Sequence, residues 1–133
     1  MLKSILEFFT GHKETDWSQD DKESCVQLLV LIMYIDNSLS DEEDQMIHRQ
    51  IALFDWKGVH NEDYFLHETI RAVRELGKSP ESIIAFIEKA AAKISEPEIK
   101  TKIISLCKHL SEADGTVNQR EKEVIAIIEK TLS

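Results

Sequence analysis

The chain has 133 residues, 42% of them hydrophobic, a size that suits one domain able to bury most of its apolar surface, and it is read as a single domain over 1–133. Twenty-five acidic against sixteen basic residues give a net charge of −9. That sign repels phosphate backbones and anionic headgroups, so nucleic acid is excluded as an expected partner, and cations or basic protein surfaces are favoured.

Helical periodicity runs through the chain, and no alternating strand pattern interrupts it. Leu2, Ile5, Leu6 and Phe9 make one apolar stripe on a short first helix ended by Gly11, followed by a polar linker from His12 to Trp17. The apolar core of this start is too short for a leader and carries Glu7, so a cytoplasmic protein is expected. Ser18 caps a second helix that runs to about Ile35 and is apolar nearly all round over its last ten residues, Val26 to Ile35. A helix of that kind belongs in the centre of a fold, and the run is far short of the roughly 20 residues that span a bilayer.

The third helix starts after Ser40 with Asp41, Glu42, Glu43 and Asp44, and turns Met46, Ile47, Ile51 and Phe54 inward. Asn61 caps a fourth, carrying Tyr64, Phe65, Ile70, Val73 and Leu76 and stopped by Gly77. Ser79-Pro80 opens a fifth with proline at the first helical position, and Ile83, Ile84, Phe86, Ile87 and Ala90 are its expected core residues. Ser95-Glu96-Pro97-Glu98 reads as a capping box for a sixth, which continues through Ile99, Ile103, Leu106 and Leu110. The seventh runs from Asn118 through Val124, Ile125 and Ile128 to Leu132. The expected fold is therefore all-α, a compact seven-helix domain.

It contains an internal repeat. Sliding the chain by 78 positions sets Leu28 on Leu106, Ile32 on Leu110, Asp36 on Asp114, Asn37 on Gly115, Ser40 on Asn118, Glu43 on Glu121 and Ile47 on Ile125. Helices two and three thus repeat as helices six and seven, two helix-loop-helix corners expected to pack around an approximate twofold. Asn37 and Gly115 suit the left-handed residue after a helix, while Ser40 with Glu43 and Asn118 with Glu121 make capping boxes. Lys108 and His109 replace Val30 and Leu31, so the later helix should expose a face that the earlier one buries.

Caps do not explain the paired aspartates. Asp36 and Asp114 stand at helix C-termini, where the macrodipole disfavours a carboxylate, so each asks for a cation or backbone donors. The run Asp114 to Glu121 copies the second half of a calcium-binding EF-hand loop, and Asp36 to Glu43 copies it more loosely. The first half fails, because its ligand positions fall on residues such as Ile32, Tyr34 and Leu110, and an autonomous EF-hand is rejected. What survives is two half-sites, Asp36 with Glu43 and Asp114 with Glu121, which make one divalent-cation site if the corners meet. Oxygen ligation points to calcium or magnesium. Local caps with solvated acids account for the same residues without a metal.

The stretch E-A-D-G-T-V-N-Q-R-E-K-E-V-I (Glu112 to Ile125), with the looser I-D-N-S-L-S-D-E-E-D-Q-M-I (Ile35 to Ile47), resembles the TerB tellurite-resistance family. In the first copy Ile35-Asp36-Asn37 stands where Ala-Asp-Gly is usual. The resemblance implies a small cytoplasmic helical domain with acidic residues near its centre, associated with stress or tellurite resistance, for which metal binding has been proposed and no enzymatic activity established. Carried over by position, the acidic motif residues are Asp36, Glu43, Asp114 and Glu121.

Other constellations carry less. The histidines His12, His48, His60, His67 and His109 lack a zinc-hydrolase spacing, and there is no phosphate loop, nucleophile elbow or C-x-x-C pair. Cys25 and Cys107 read as small core residues, and Trp17 and Trp56 as covers at core edges. The favoured function is a non-enzymatic binding module whose corners hold a cation or a basic partner. A metal-dependent hydrolase using the same carboxylates, and a purely structural homodimer, are the alternatives.

Overall fold

The computed structural model describes residues 18–34, 62–77, 79–113 and 119–133. Every regular element among them is a helix: α1 (Gln19–Tyr34), α2 (Glu62–Leu76), α3 (Pro80–Ala92), α4 (Pro97–Ala113) and α5 (Gln119–Leu132). The all-α expectation holds for these residues. Five helices are described where seven were expected; the first and third expected helices, with Trp17 and Trp56, lie outside the described residues.

The fold is built around α1, which packs against each of the other four helices. From Asp21 onward only Glu23 and Gln27 on this helix are not buried. Leu28 to Tyr34 form an unbroken enclosed run, as a helix without a polar face must. Its start is a reciprocal cap: the Asp21 amide donates to Ser18 Oγ at 3.1 Å and the Ser18 amide to the Asp21 carboxylate at 3.3 Å. Ser24, fully enclosed, donates from its hydroxyl to the Ala90 carbonyl at 2.8 Å and so fixes α1 against the end of α3.

The remaining helices each bury one stripe at helical spacing. On α2 it is Leu66, Ile70 and Val73, with Thr69 returning its hydroxyl to the Phe65 carbonyl at 2.8 Å. Tyr64 instead lies half exposed, because the stripe that meets α1 starts at Leu66. On α3 the stripe is Ile83, Ile87, Ala90 and Ala91, continued by Ile94. Ile84 is exposed there rather than buried, since one residue further along turns a side chain about 100° away from Ile83. Ile99, Ile103 and Cys107 on α4, and Val124, Ile128 and Leu132 on α5, recur every four residues and complete the core.

The helix boundaries follow local chemistry. Ser79 caps α3, its Oγ accepting from the Ser82 amide at 3.3 Å, with Pro80 in the first turn. Gly77 ends α2 with φ +60, the left-handed conformation that glycine adopts most readily. The start of α4 differs from the expected Ser95 capping box. The helix begins at Pro97, and the Glu96 carbonyl accepts from the Ile99 and Lys100 amides at 3.1 and 3.2 Å. Proline at the first helical position sets this register, since it has no amide to be capped.

Candidate functional site

Two corners frame the candidate site, and the helices that feed them are packed together. α1 leads toward Asp36, α4 toward Asp114, and α5 carries Glu121 in its first turn; each of these three helices packs on the other two. Asp36, Glu43 and Asp114 lie outside the described residues, as does the side chain of Glu121. Glu121 is the third residue of α5, which begins at Gln119, in keeping with the capping position assigned to it. Among the described residues no group of three or more histidine, cysteine or acidic side chains is arranged to hold a metal ion.

Toward the first corner, the last turn of α1 is enclosed. Leu31 to Tyr34 are all buried, and the Arg74 guanidinium of α2 stands over the Tyr34 ring at 5.6 Å from its centroid. A cation over a ring at that distance contributes on the order of 0.5–1 kcal/mol at an exposed site and ties the end of α1 to α2. The last turn of α1 holds no basic residue that would offset the dipole there.

At the second corner, α4 and α5 form a helical hairpin. Lys108 Nζ meets Glu129 Oε1 at 2.9 Å, both half exposed, so the pair aligns the helices more than it stabilises them. As expected, Lys108 is exposed where Val30 of the earlier copy is buried. Arg120 reaches to the end of α2, its Nη2 donating to the Gly77 carbonyl at 2.7 Å. The charge of the two copies therefore differs. Asp41-Glu42-Glu43-Asp44 of the first corresponds to Gln119-Arg120-Glu121-Lys122 of the second, so only the first corner is uniformly acidic.

The cysteines take no part in such a site. Neither Cys25 nor Cys107 is in a disulfide, both are fully buried, and burial pushes the Cys107 thiol up to about 12, which keeps it protonated. His67 is on the exposed face of α2, and His109 has its side chain outside the described residues.

The family model described as "Tellurite resistance protein TerB" matches residues 26–133, a span that takes in both motif copies, α2 to α5 and the part of α1 from Val26 on. The chain belongs to the TerB family. No curated protein and no solved structure matches it. The TerB match begins inside α1, at the first residue of its apolar run, so the enclosed run of that helix and both motif copies fall within the family's domain. Among the described residues, no helix of this TerB chain is long and apolar enough to cross a membrane.

Proposed function

We propose that this TerB domain is a non-enzymatic binding module that holds one divalent cation, calcium or magnesium, between its two acidic corners. Asp36 and Glu43 would supply one half of the ligand set and Asp114 and Glu121 the other. The observation that carries this reading is the match of the family to residues 26–133, which covers both copies of the motif and therefore all four carboxylates. The packing of α1, α4 and α5 on one another supports it further, because three of the four acids sit on or just beyond those helices. A carboxylate after a helix C-terminus opposes the dipole, and a bound cation supplies the missing compensation. The non-catalytic reading rests on the absence of any nucleophile or phosphate-binding motif from the sequence. A role in tellurite resistance is taken from the family's description, and with the cytoplasmic location expected from the sequence it is part of the same proposal.

The test is a thermal melt of the wild type, Asp36→Asn and Asp114→Asn, each with chelator and with millimolar calcium, magnesium or manganese. An ion present at 100 times its dissociation constant stabilises the wild type by about 2.7 kcal/mol, and each variant loses that gain. Equal melting temperatures for the wild type in all conditions would overturn the cation reading. The acids would then be left as a docking face for a basic protein surface.

A further inference from the structure

Arg120 is in the wrong place for a residue of its charge. It is the second residue of α5, where the macrodipole favours an acid, and the first copy of the repeat carries Glu42 at the corresponding position. Its Nη2 donates to the Gly77 carbonyl, 43 residues earlier, at 2.7 Å. Gly77 is the left-handed residue that closes α2, so its carbonyl lies at the negative end of that helix dipole, where a cation is favoured. The residue is half buried, and its Nε is enclosed with no partner among the described residues, while the bond to Gly77 lies at the exposed surface. A hydrogen bond from a charged donor is shorter and stronger than one between neutral groups.

From these contacts we infer that Arg120 is a positioning residue, a latch that ties the start of α5 to the C-terminal end of α2. α2 packs on α1 and not broadly on α5, and this bond is a polar tie between those two helices. The latch has a consequence for the second corner. Glu121 follows Arg120 directly, so the entry to that corner is held in register with α2 and through α2 with the enclosed α1. That consequence, though not the latch itself, rests on the cation reading above.

Hydrogen exchange on the full chain without added metal tests the latch. In Arg120→Ala, amides of two segments far apart in sequence, 74–79 and 119–124, exchange about tenfold faster, while those of 26–33 are unchanged. Arg120→Lys keeps a charged donor and recovers much of the protection in both segments. Faster exchange confined to the start of α5, or no change in either segment, would overturn the latch. So would Arg120→Lys behaving as Arg120→Ala does. Loss of protection throughout the chain would mark Arg120 as a general stability residue and would equally overturn it. A manganese titration of the same proteins separates the two ideas. If the wild type binds no ion the cation reading fails, and the exchange result still decides the latch.

Discussion

α1 and α4 occupy the same place in the two halves of the repeat, yet the fold treats them differently. α1 touches all four other helices and leaves no side to solvent over its last seven residues. α4 packs on α1 and α5, and its outer face carries Lys108 where α1 has Val30. The difference shows that a repeat in sequence does not carry a repeated environment with it. The residues facing away from the shared seam decide which helix is enclosed.

Exchanging the two residues tests that comparison, and the larger effect is expected from α1. Val30→Lys places an unpaired ammonium in the centre of a helix enclosed on all sides, and about 3–5 kcal/mol of stability should be lost in denaturant melts. A loss under about 1 kcal/mol would show that α1 has an open side. The reciprocal change, Lys108→Val, removes a half-exposed ion pair with Glu129 from the outer face of α4. Its cost should not exceed about 1 kcal/mol in the same measurement. A larger loss would mean that the α4–α5 hairpin depends on this pair.

The parts of the fold set by neighbours in sequence were the legible ones. Ser18, Ser79 and Gly77 mark helix ends because their roles need only the adjacent backbone, and the enclosed run of α1 follows from the lack of a polar face. Stripe assignments were less secure. Tyr64 and Ile84 are apolar enough for the core but stand off the line that meets the neighbouring helix, which Leu66 and Ile83 occupy. The start of α4 moved because a proline at the first position outweighs a serine two residues earlier. The contact from Arg120 to Gly77 spans 43 residues and depends on how α5 is set against α2, which no local pattern encodes. The candidate site divides in the same way. Which residues are acidic, and that they recur as a pair, is written in the chain; whether Asp36 and Glu43 meet Asp114 and Glu121 depends on the crossing of α1 with α4, which no local pattern encodes.

Titration calorimetry with calcium and magnesium, on the wild type and on Asp36→Asn and Asp114→Asn, tests most directly whether the two corners make one site. The account predicts one ion bound per chain by the wild type and a loss of binding in either variant, since each removes a ligand from the same shared site. Two ions per chain, binding that survives either substitution, or no heat of binding at all would contradict it.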